Sequence, residues 1–143
     1  MTERALILCT VAGFVALLVL AGRAFVAARK QRALAAVPLL PARFEEAFVA
    51  ADSPWSIRLL AFSTPQCQQC WLLQKPALEE VAARADRVEI LPINALEQPE
   101  LAERYGILTV PSTVVLKPDG RASAVNFGYA PARQLLEQIA AAG

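Results

Sequence analysis

Two cysteines three positions apart interrupt the chain at the most constraining point in it, the stretch Phe62-Ser63-Thr64-Pro65-Gln66-Cys67-Gln68-Gln69-Cys70. An apolar run ends at Phe62 and a helical pattern begins just after Cys67. Positions i and i+3 of a helix are neighbours on one face. Their Cα atoms then lie within the narrow range that a disulfide tolerates. A pair at a helix start therefore opens and closes with little backbone movement. The first cysteine gains most, because unpaired N–H groups and the macrodipole favour negative charge at a helix N-terminus. A thiolate is the attacking form in disulfide exchange and also the better leaving group. Cys67 is thus expected to attack. Cys70, one turn inside and more buried, is expected to resolve the mixed disulfide.

Composition removes the competing chemistries. The chain has 143 residues, one domain's worth, and no histidine. Neither a Cys–His nor a Ser–His pair is possible, nor a Cys2His2 zinc site. Cys9 is the only other cysteine, so one chain cannot build a four-cysteine site. No metal and no organic cofactor is expected; the redox group is the Cys67–Cys70 pair itself.

Hydrophobic residues make up 56% of the chain, and the excess is local. Ala5 to Gly22 is uncharged, and as a helix it measures roughly 27 Å, close to a bilayer's hydrocarbon thickness. If Arg23 snorkels, the apolar span extends to residue 28. A single-pass anchor is the first reading, with lipid contact through residues 5–28. A cleaved signal peptide fits less well, since Gly22-Arg23-Ala24 is a poor small-x-small site. A buried soluble helix fits least, because the run has no polar face. Cys9 reads as a small apolar residue within the membrane.

Charge is divided along the chain. Residues 1–43 carry six basic residues against Glu3, while residues 44–143 hold eight basic and twelve acidic ones. The basic cluster just after the apolar run places the domain in the cytoplasm by the positive-inside rule, with an extracytoplasmic domain as the alternative. An acidic domain without a basic patch argues against nucleic acid as a partner. The expected organisation is an anchor with its basic flank over 1–30, a Pro-containing linker over 31–42, and a domain over 43–143.

Within the domain, Pro41 to Ala51 reads as a helix with Phe44 and Phe48 on its apolar face. Ile57 to Phe62 reads as a buried strand. The helix after Cys67 is predicted to run to about Ala85, with Leu72, Leu73, Leu78, Val81 and Ala82 toward a sheet and a kink at Pro76. Arg87 to Asn94 is the next strand, and Pro92 puts it near an edge or an end. Pro99 to Tyr105 is a short helix closed by Gly106. A strand from about Thr113 turns at Lys117-Pro118-Asp119-Gly120 into an antiparallel partner over Ala122 to Phe127. Gly128 ends that strand. Pro131 starts a closing helix with Leu135, Leu136 and Ile139 on one face.

This order, with Cys67-Gln68-Gln69-Cys70, Tyr105-Gly106-Ile107 and Val110-Pro111-Ser112-Thr113, resembles the thioredoxin superfamily over about a hundred residues. The resemblance implies an α/β fold, a central mixed sheet flanked by helices, here preceded by one N-terminal transmembrane helix. It implies a cis peptide at Val110–Pro111, and a substrate groove lined by Gln66, Val110, Pro111 and Gly128, with Tyr129 a further candidate. It implies protein disulfide or dithiol substrates, and a thioredoxin-reductase-like or membrane electron donor. The chain departs from thioredoxins in several places. Gln-Gln replaces Gly-Pro between the cysteines, and Gln66 stands where thioredoxins have Trp. Ala61 replaces a buried acid and Pro92 its lysine partner. Trp71 directly follows Cys70, and Pro76 comes one residue late. Without that acid, water or a substrate group has to take the proton of Cys70, and slower resolution is expected. Three functions remain open on this reading: a membrane-tethered oxidoreductase that reduces protein disulfides, a non-catalytic thioredoxin-fold binding module, and a client-specific assembly factor at the membrane.

Overall fold

The computed structural model describes residues 2–35 and 57–143, and the chain divides into two units, Met1–Gln31 and Arg32–Gly143. The helix expected over Pro41–Ala51 and most of the 31–42 linker lie outside the described residues.

A single helix, α1 (Thr2–Ala35), contains the uncharged run and continues through the basic flank. Its part from Thr10 to Ala35 is long and apolar enough to cross a membrane. Phe14, Leu17, Leu18 and Leu20 are all exposed, as a lipid-facing surface requires. Arg29 sets its guanidinium 5.7 Å from the centre of the Phe25 ring.

The second unit is built on a sheet. Its described strands are β1 (Ile57–Ser63), β2 (Val88–Asn94), β3 (Ser112–Leu116) and β4 (Ala122–Phe127). Their order is β2-β1-β3-β4. β1 runs parallel to β2 and antiparallel to β3, and β3 pairs antiparallel with β4, so the sheet is mixed. β1 is covered on both sides and reads as a continuous apolar run for that reason. Arg58 is its exception. It is buried, stands opposite Glu89 across the β1–β2 ladder, and pairs with it at 3.1 Å. Pro92 sits in β2, the outermost described strand on that side, where a missing N–H costs least.

Alternation along the strands produces two cores. On one face Leu59, Ala61 and Val115 pack with Val81, Leu135 and Ile139 from two helices. On the other, Leu60, Phe62, Ile93 and Val114 pack with Leu101 and Tyr105. Tyr105 meets the Phe62 ring edge-on, with centroids 6.3 Å apart. Burial raises the pKa of its hydroxyl, and neighbouring Arg104 opposes that shift only in part.

Helix ends follow their sequence signals. The short helix α3 (Pro99–Arg104) closes on Gly106, whose φ is +63°. Gly106 N–H bonds Glu103 C=O at 2.9 Å and Ile107 N–H bonds Ala102 C=O at 2.7 Å, the double bond of a Schellman cap. The hairpin turn uses Gly120 at φ +82°, with Gly120 N–H on Lys117 C=O at 2.9 Å. The closing helix α4 (Ala132–Ala142) begins just after Pro131. Four uncharged groups fasten it to the sheet. Asn126 donates to Thr113 Oγ1 at 3.0 Å and to Gln138 Oε1 at 2.8 Å, and its own oxygen accepts from Gln134 and Gln138.

The helix after the cysteines corrects the sequence reading. Cys70–Gln74 is a π-helical turn, and only then does α2 (Lys75–Arg84) begin. Lys75 N–H reaches the Cys70 carbonyl five residues back. A π-turn takes up one more residue than an α-turn. That absorbs the one-residue delay of Pro76, which falls in the first turn of α2, where no N–H is needed. The inner face is then Cys70, Gln74, Ala77 and Val81. Leu72, Leu73 and Ala82, expected against the sheet, are exposed instead. Hydropathy puts the leucines inward; the structure leaves Leu72 and Leu73 exposed and buries Gln74.

Candidate active site

Cys67 stands at the N-cap of the helix that follows it. Its N–H is held by Thr64 C=O at 3.1 Å, and its own C=O accepts from Trp71 N–H at 3.4 Å. Its sulfur accepts the Cys70 backbone N–H at 3.1 Å. An N-cap oxygen in other helices takes this same N3 bond. Here sulfur occupies the place, and the orphan N–H and the helix dipole act on it together. Cys67 and Cys70 are joined by a disulfide with Cα atoms 5.3 Å apart. Cys67 is half-buried, whereas Cys70 is 7% exposed. The asymmetry expected of the pair is therefore present in the packing.

The predicted groove residues divide into two groups. Gln66 and Val110 line the same shallow hollow as Cys67, about 350 Å³, together with Thr64, Gln68 and Gln69. Val110–Pro111 is a cis peptide, and Pro111 is buried and does not line that hollow. Ser112 Oγ donates to Thr109 C=O at 2.8 Å and fixes the approach to β3. Gly128 does not line that hollow. It lies one step beyond the Ser112–Phe127 pair, beside the Pro111 end of β3. Its φ is +88°, and a Cβ there would meet nothing within 4 Å, so its need for glycine is conformational. Tyr129, next to it, is 46% exposed.

Gln74 was missed by the sequence reading. Its side-chain amide donates to Ala130 C=O at 3.1 Å and accepts Ala130 N–H at 3.0 Å. It is 3% exposed, so both backbone groups of Ala130 depend on it away from water. This latch ties the dithiol helix to the segment that follows Gly128. Spacing counted back from Val81 through Ala77 would have found it, as a polar residue on an inward position.

A second hollow, about 250 Å³, lies behind Cys70. Ala61 and Pro92 face each other in register across β1 and β2, and both line it. Trp71, Gln74, Lys75 and Leu78 complete the helix side. Trp71 is 58% exposed, and the Lys75 ammonium lies 5.1 Å from its ring centre.

The family profile described as Thioredoxin matches residues 35–141. The chain belongs to the thioredoxin family. A thioredoxin of Rhodospirillum rubrum is 35% identical over 101 residues, covering 70% of this chain and 92% of that protein. The thioredoxin of Alicyclobacillus acidocaldarius is likewise 35% identical, over 74% of this chain and 96% of its own length. Among solved structures, chloroplastic thioredoxin z superposes with a TM-score of 0.57 at 27% identity, covering 72% of this chain and 89% of its own. The reduced desulfothioredoxin of Desulfovibrio vulgaris Hildenborough gives 0.53 at 28%, covering 60% and 81%. Thioredoxin-family membership and the closed Cys67–Cys70 pair identify a thiol–disulfide oxidoreductase.

Proposed function

We propose that this chain is a membrane-tethered reductant of protein disulfides. Cys67 attacks and Cys70 resolves. The reading rests above all on one contact, the Cys70 N–H on Cys67 Sγ at 3.1 Å, a bond that favours a thiolate on the more exposed sulfur once the pair is reduced.

In the reduced chain the Cys67 thiolate attacks one sulfur of a client disulfide. A mixed disulfide forms and the first client thiolate leaves, taking a proton from water. Cys70 then loses its proton and attacks Cys67 Sγ. The second client thiolate leaves, and the Cys67–Cys70 bond closes. Two electrons pass to the client, and no organic cofactor or metal takes part. A thioredoxin-reductase-like or membrane electron donor reopens the bond. The client strand lies along Gln66, Val110 and Pro111 by strand addition, with Gly128 at the groove's end.

The tether is the apolar part of α1, and its basic flank favours a cytoplasmic domain. Insulin reduction by the full chain in detergent micelles, with dithiothreitol as reductant, tests the chemistry. Turnover is expected in the parent and none in Cys67→Ser, while Cys70→Ser should accumulate a mixed disulfide. Absence of turnover in the parent would favour a binding module. A reporter at the C-terminus, read on each side of the membrane, tests the topology; an extracytoplasmic signal would reverse the assignment of side.

A further inference from the structure

We propose that Lys75 acts on the resolving step by holding a positive charge beside Cys70, favouring its thiolate. This rests on Cys70 being the resolving thiol.

Cys70, otherwise buried, lines the hollow behind it. Burial in apolar surroundings disfavours a thiolate. The strand side of this hollow offers no relief. β1 contributes Ala61, Phe62 and Ser63, and β2 contributes Pro92, none of them charged. Arg58 and Glu89 sit an odd number of positions from Ala61 and Pro92, and so on the opposite face of the sheet. On the helix side Trp71 and Leu78 are uncharged, and the Gln74 amide is committed to Ala130. Glu79, one turn beyond Lys75, is exposed and does not line the hollow. Among the described residues, Lys75 is therefore the one ionisable side chain besides Cys70 that lines it. The Trp71 ring lies beneath its ammonium at 5.1 Å, which orders the side chain beside the hollow.

The proton balance is simple. Cys70 gives its proton to water entering at the Lys75 side. The charge of Lys75 lowers the cost of the thiolate. Cys70 Sγ then attacks Cys67 Sγ, and the client thiolate departs.

The test uses the full chain in detergent micelles, with Cys9→Ala so that only two thiols react. The reduced protein is mixed with one equivalent of 5,5′-dithiobis(2-nitrobenzoate). A first coloured thiolate is released when Cys67 attacks, and a second when Cys70 resolves. Lys75→Met should leave the first release unchanged, slow the second about tenfold near neutral pH, and move its pH midpoint up by about one unit. Lys75→Arg should restore the parent profile. A second release in Lys75→Met with the parent's rate and midpoint overturns the proposal. So does Lys75→Arg behaving like Lys75→Met, because the effect would then be one of shape. Failure of the parent to give any second release would instead overturn the assignment of Cys70.

Discussion

At the scale of single residues, the site depends on polar groups that hydropathy hides. Gln74 is buried, yet it satisfies both backbone groups of Ala130. Gln74→Leu leaves those groups unpaired and should cost about 2–3 kcal/mol, read as a lowered urea midpoint. The cysteines were legible because a CxxC at a strand-to-helix junction has few other physical meanings. Gln74 was legible only by counting back from Val81 through Ala77, because hydropathy gives an isolated glutamine no inward sign. Tyr105 makes a pH-dependent contribution. Burial raises its folded pKa above the unfolded value of about 10, so folding favours the protonated hydroxyl. That stability is fully present below about pH 10 and is lost as pH rises through the folded value. Urea titrations at pH 8 and pH 11 should show a fall in stability that Tyr105→Phe reduces.

At the scale of elements, most of the architecture was readable. β1, β2, the hairpin of β3 and β4, α3 with its glycine cap, and α4 all fall within a residue or two of their expected places. Each had a local signal: an apolar run, a proline start, or a glycine where φ must be positive. The dithiol helix lacked one, because a π-turn is set by what both of its ends must bury. Cys70 and Val81 each have to face inward, and they lie eleven positions apart. Deleting Leu72 should therefore be tolerated, the turn reverting to α and the inner face being kept. Deleting Leu78 should not be, since either Val81 or Gln74 must then rotate away. Cooperative thermal unfolding of the first variant, and its loss in the second, would bear this out.

At the scale of the whole molecule, charge sets the apolar N-terminal run apart from an acidic remainder. The full chain should stay with membranes through alkaline carbonate washing, and a chain lacking residues 1–30 should be released; recovery of the full chain in the wash would remove the tether. Within the domain, α4 is anchored through Asn126, Thr113, Gln134 and Gln138, none of which carries charge. Ions in the surrounding medium have nothing there to screen. The clasp on α4 should hold equally in dilute buffer and in concentrated brine, so that helix stays docked across a wide range of ionic strength.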